Sequence, residues 1–196
     1  MKPIFFLILI SLFLVSCAFK DRKTVQGLCS QLKTPSREVR NNACSLLNKL
    51  LSDQKNLYLL SYIKQESPEA KTFMMNVSSS SAKGGKLLEG FSKRDSSFLL
   101  VKTDLPLGEL KTRASIASAK EKDLLSLSDA PFEIALLTTQ ASALEYASHL
   151  AKVAAENDFD PERIKKLNQL SKEMKILYRE AISLLYLNPI PKNSLK

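Results

Sequence analysis

An all-α fold is predicted, and three observations predict it. Leu, Ala, Ser, Lys and Glu dominate a chain of 196 residues that contains only five glycines and no tryptophan, a composition that favours helices over loop-rich β architectures. Apolar residues recur at spacings of three and four from Leu28 onward, the period of a helix that buries one face. Punctuation is the third sign. Asp160-Pro161-Glu162 sets a capping residue before a proline at the first helical position, and Asn188-Pro189-Ile190-Pro191 stops a helix.

The first element, residues 1–16, reads as a secretory signal. Lys2 precedes twelve residues, Ile4 to Val15, that are apolar apart from Ser11. At ~1.5 Å per residue such a helix covers only ~18 Å, short of a ~30 Å hydrocarbon core. Leu14-Val15-Ser16-Cys17 resembles the lipobox of bacterial lipoproteins. The resemblance implies cleavage between Ser16 and Cys17, a diacylglycerol on the Cys17 thiol, and an N-acyl chain on the new amino group. Several acyl chains hold a protein on a membrane where a single chain does not. The implied location is the bacterial cell envelope, with the chain held to the membrane by its lipid. Ala18 and Phe19 follow the cysteine, where Asp would mark inner-membrane retention, so the outer membrane is favoured over the inner.

Cys17 and residues 18–26 form a short polar tether, and a helical region covers 27–77. Within it, "LCSQLK" and "REVRNNACSLLNKLL" flank a Thr-Pro-Ser turn, with Ser36 as cap and Val39, Ala43, Leu46, Leu47 and Leu50 as the apolar face. This piece resembles a HEAT-like helical repeat, through Pro35, Val39-Arg40, Ala43 and the leucines. A fainter copy follows, with Ala70-Lys71 at the place of Val39-Arg40. Cys29 and Cys44 fall on the two neighbouring helices. In an oxidising compartment they are candidates for a disulfide, and buried free thiols fit the pattern equally well.

Residues 78–97, rich in Ser and Gly, read as a linker. A short extended segment and a helix from about Gly108 to Leu127 fill 98–128. Residues 129–188 read as a long antiparallel helical hairpin, and 189–196 as a Pro-containing tail. In its second helix Ile164, Leu167, Leu170, Met174, Leu177, Tyr178, Ala181, Leu184 and Leu185 share one face. The first helix carries two adjacent apolar bands. One runs through Ile134, Leu137, Ala141, Leu144, Ala151 and Ala155, the other through Leu136, Ala143, Ala147, Leu150 and Ala154. A helix apolar on two sides needs partners on two sides, so it is expected at the centre of the fold.

No catalytic constellation emerges. His149 is the only histidine, and it falls on a polar stripe with Glu145, so a surface role is expected and no metal site. Ser-x-x-Lys occurs three times, at Ser30, Ser61 and Ser80, without the companion motifs that give it catalytic meaning. No cofactor is expected beyond the covalent lipid on Cys17. The formal charge of +9 raises nucleic acid as a partner, but an exported chain does not meet it. From Pro161 onward eight basic residues face three acidic ones. Lys165, Lys172, Lys175 and Arg179 among them form a ridge opposite the apolar face, suited to an anionic partner. The expectation is a non-enzymatic helical scaffold that docks an envelope protein or assembly. The first alternative is a module binding anionic lipid or glycolipid through that ridge, and a periplasmic hydrolase is a second that no motif supports.

Overall fold

A computed structural model describes residues 35–100 and 105–187, and these are all helix, turn and loop, with no strand among them. Five α-helices lie in this part: α1 (Arg37–Gln54), α2 (Pro68–Arg94), α3 (Leu107–Ser126), α4 (Asp129–Glu156) and α5 (Pro161–Leu187). A 3₁₀ turn, Leu57–Tyr62, joins the first two. Cys17, Ser16, Cys29 and the tail lie outside the described residues.

Local chemistry sets the helix starts. The Ser36 hydroxyl accepts from Val39 N and opens α1. Ser67 does the same for Ala70 N, with Pro68 in the first turn of α2. Asp160 Oδ1 accepts from Glu162 N at 2.8 Å and Arg163 N at 3.0 Å, the cap expected of Asp before Pro161.

The helix α4 is central. It packs most extensively on α5 and next on α1; α1 packs on α2, and α2 on α5. These four pairings close a ring of four helices around one core. Both apolar bands of α4 are used: Leu136, Leu137, Leu144, Ala147, Ala151 and Ala154 are all fully buried. The predicted face of α5 is likewise buried or half-buried throughout. α3 stands outside the ring. It touches mainly α4, and none of its residues is buried.

Two expectations need correction. One position of the predicted α1 face fails: Ala43 and Leu47 are buried and Leu46 and Leu50 half-buried as expected, but Val39 is exposed, and Arg40, Cys44 and Leu51 widen the buried face. The hydropathy rule cannot anticipate a buried arginine. The larger correction concerns residues 78–97. They are not a linker, since residues 78–94 form the latter part of the 27-residue helix α2, and the expected boundary at 77 falls inside it. The small residues are there for close packing. A Cβ on Gly84 would lie 2.9 Å from Leu51 Cδ1 and 3.0 Å from Leu170 Cδ1, so α2 runs close to both α1 and α5. Its serines are tied to neighbours: Ser78 Oγ accepts from Tyr58 N, Ser81 donates to Gln54, and Ser80 donates to Glu173. Tertiary packing overrides a composition that is weakly helical in isolation.

Candidate functional site

Two places in the described residues gather polar or apolar groups beyond what the helix pattern requires. The first is a charged junction at the α4–α5 turn. Asp158 sits in the turn with its side chain fully buried, and its carboxylate accepts from Phe159 N and Asp160 N. Arg163, on the first turn of α5, grips it with two bonds of 2.8 Å, Nε to Oδ2 and Nη2 to Oδ1. The same guanidinium reaches Asp95 Oδ2 at 2.8 Å, just past the end of α2. Arg40, from the first turn of α1, is 1% exposed and lies 3.8 Å from Asp158. It donates to Asn41 Oδ1 and to the Ser97 carbonyl at 2.7 Å. The Phe98 ring lies under both guanidiniums, at 5.0 and 5.7 Å.

The electrostatics follow from this packing. Burial pushes the Asp158 carboxyl up, but the Arg163 bond and the two backbone N–H groups outweigh it, and its pKa falls below the ordinary carboxylate value. Hydrogen bonds from Ser97 lower Asp95 as well. Arg163 is raised, chiefly by its bond to Asp158. Each charge is answered within the junction, which therefore fastens α1, the α2 end and the α4–α5 turn together.

The second place is a cleft of about 590 Å³ between α3 and the body. Its floor is Leu50, Leu57 and Leu60, with Thr139, Gln140, Ala143 and Tyr146 of α4 along one wall. Its roof is the inner face of α3, including Ile116, Ala117, Lys120, Glu121 and Leu124. Gln54, which also lines the cleft, donates from Nε2 to Gln140 Oε1 at 3.0 Å in a buried pair. Two attachments hold α3 over the gap. Arg113 donates to the Tyr146 hydroxyl at 2.9 Å and stacks on its ring. Lys64 Nζ donates to the carbonyls of Leu125 and Leu127 at the end of the helix, where a cation also favours the dipole. The dimensions and lining suit a small ligand, for which clefts of ~300–1,000 Å³ are typical.

The residues singled out in the sequence are spread across the molecule. Cys44 is a free, fully buried thiol, pushed up to about 12 by burial, so it is protonated and unreactive at neutral pH. Lys165, Lys172, Lys175 and Arg179 are exposed along the outer side of α5, and among the described residues none of them has an ion pair. Lys172 borders a surface groove of about 730 Å³ between α2 and α5, with Lys83 and Ser79 across from it. His149 is exposed. Among the described residues no group of His, Cys, Asp and Glu has a metal-binding arrangement, and no helix is long and apolar enough to cross a membrane.

Neither place was visible in the sequence. Arg40, Asp95, Asp158 and Arg163 are separated by up to 123 positions, and only the pairing of helix ends brings them together. The cleft lies beneath α3, a helix with no buried residue.

The class that this architecture defines is an all-helical protein built on a four-helix ring. Comparison of the chain with protein-family models, with curated proteins and with solved structures finds no match to any of them.

Proposed function

We propose that the chain is a lipid-anchored protein of the bacterial envelope, tethered through Cys17, whose helical body docks another envelope protein or assembly without catalysing a reaction. The lipobox supports the location. The observation that carries the docking role is the 3₁₀ turn between α1 and α2, where Tyr58, Leu59, Tyr62 and Ile63 all face water. Tyr62 is 77% exposed and Ile63 64%. Tyr58 and Tyr62 meet edge to face at 6.4 Å, so the two rings form one contiguous aromatic surface. Clustered exposed aromatic and aliphatic groups are the usual material of interface hot spots.

The test places a photoreactive residue at Tyr62 in the full chain in living cells, with Cys17→Ser as the anchor control. One abundant cross-linked envelope protein is expected, and Tyr62→Ser combined with Ile63→Ser should weaken its recovery by about tenfold or more. Loss of membrane association in Cys17→Ser is expected at the same time. Absence of any protein adduct at Tyr62 would refute the docking role.

A second reading rests on the ridge of Lys165, Lys172, Lys175 and Arg179, whose unpaired charges suit phosphate-bearing lipid or glycolipid. It predicts salt-sensitive binding to anionic vesicles that disappears when all four are changed to Gln. Unchanged binding by that variant removes this reading.

A further inference from the structure

We infer that the end of the bundle where the chain arrives from Cys17 is a second membrane contact, resting Phe159 and Val39 in the headgroup layer of an anionic phospholipid bilayer. This rests on the lipid anchor proposed above and is independent of the docking patch.

Connectivity comes first. Residues 18–34 separate Cys17 from Pro35, 17 in all, and at ~3.5 Å each they span at most ~60 Å. The chain joins α1 at Ser36, whose backbone N–H donates to Asn157 Oδ1 at 3.1 Å, so α1 begins beside the α4–α5 turn. The bond from Arg163 to Asp95 brings the end of α2 to the same place. A lipid at Cys17 therefore raises the effective concentration of these three helix ends at the bilayer, and a contact too weak to act alone becomes occupied.

The groups exposed there suit a boundary between water and lipid. Phe159, in the turn, is 56% exposed, and Val39, on the first turn of α1, is 42% exposed. The Phe159 backbone is pinned, since its N–H donates to the fully buried Asp158 carboxylate at 2.7 Å. The ring is thus held outward and cannot fold into the core. The Arg37 guanidinium lies 5.8 Å from its centroid. A ring that enters the headgroup layer beside a guanidinium that meets phosphate is the usual make-up of an interfacial contact.

Charge selects an anionic surface. Arg37, Lys93 and Arg94 are exposed and have no ion pair among the described residues. The acidic groups Asp95, Glu156, Asp160 and Glu162 are paired with Arg163, Lys152 or Lys166. Glu38, beside Arg37 on α1, is the exception at this end. Residues 18–34 add Lys20, Arg22, Lys23 and Lys33 against Asp21. The unpaired charge nearest the anchor is therefore positive, as attraction to anionic lipid requires. The same orientation serves docking. α1 has 18 residues, ~27 Å at ~1.5 Å each, and the patch from Tyr58 to Ile63 follows its far end, so it stands clear of the bilayer.

The chain has no tryptophan, so Phe159→Trp places a sole reporter at this end and Tyr62→Trp one at the other, both at exposed positions. Each full-length variant, purified from membranes with its acyl chains, is reconstituted into vesicles of phosphatidylethanolamine and phosphatidylglycerol with brominated chains, which quench an indole that touches the bilayer. Flotation of the vesicles reports the anchor separately. Both variants are expected to float, with the reporter at position 159 quenched severalfold more than that at 62. Lys93→Glu with Arg94→Glu, two exposed changes at the end of α2, should reduce that quenching severalfold and leave flotation intact. High salt, or vesicles of phosphatidylcholine alone, should do the same. A protein that floats with no quenching at 159, or with quenching at 62 as strong, would overturn the membrane face and leave the anchor standing. Quenching indifferent to the two substitutions and to salt would overturn the anionic surface as its occupant. Failure to float would overturn the anchor and this inference together.

Discussion

At the residue scale the charged junction carries the sharpest consequence. Asp158 is the shared counter-ion of two guanidiniums, hydrogen-bonded by Arg163 and 3.8 Å from Arg40, and its side chain is fully buried. Asp158→Ala leaves Arg40, itself 1% exposed, without a nearby anion, and strips Arg163 of its two-pronged partner. Removing one partner of a buried pair costs about 3–5 kcal/mol, so urea unfolding should show a loss of that order. A loss under about 1 kcal/mol would mean the junction is more hydrated than its geometry implies. The pH dependence follows from the same group. Its folded pKa is lowered, so its contribution to stability is complete above the unfolded carboxylate value of ~3.9 and is lost as pH falls through the lower folded value. Thermal stability should fall steeply on acidification below about pH 4, and less steeply in Asp158→Asn.

At the element scale α2 and α3 show opposite relations between sequence and packing. α2 looks poor as a helix and is well buried; α3 looks adequate and buries nothing. Two adjacent glycines of α2 separate propensity from packing. Gly85 has only Asn48 Oδ1 at 3.9 Å from a Cβ placed there, so Gly85→Ala should stabilise by about 0.5–1 kcal/mol through helix propensity. Gly84 is held between Leu51 and Leu170, both in the core. Gly84→Val should therefore destabilise by about 1–3 kcal/mol from overpacking. Equal effects at the two positions, read by chemical denaturation, would contradict the close approach of α2. For α3, a helix of 20 residues without a buried face is marginal in water. Its amides should exchange with solvent orders of magnitude faster than those of Leu136 to Leu150 on α4. Protection of α3 equal to that of α4 would show that its two attachments hold it more firmly than its burial suggests.

At the scale of the whole molecule, the ring of four helices explains which parts of the fold were legible. The α4–α5 hairpin could be read almost to the residue, because Asp160-Pro161 and the apolar bands are local signals. The two-sided character of α4 also announced its central place. The stretch from Ser78 to Arg94 was misread because serine and glycine carry the same composition whether they line a loop or a close helix contact. The choice between those depends on Leu51 and Leu170, which are far away in sequence. The burial of Arg40 was not legible for a related reason. A buried arginine is stable only beside Asp158 and the Ser97 carbonyl, and neither lies on α1.

The sequence by itself determined the helical class, the boundaries of the last three helices and the expectation of a lipid anchor at Cys17, since each rests on neighbours along the chain: capping residues, periodicity and a four-residue motif. The tertiary structure alone decided that α2 is continuous, that Asp95, Asp158, Arg40 and Arg163 form one junction, and that a cleft opens under α3. Those outcomes depend on which helix faces meet, and that is set by the fit of side-chain volumes and the pairing of buried charges across distances that no local pattern spans.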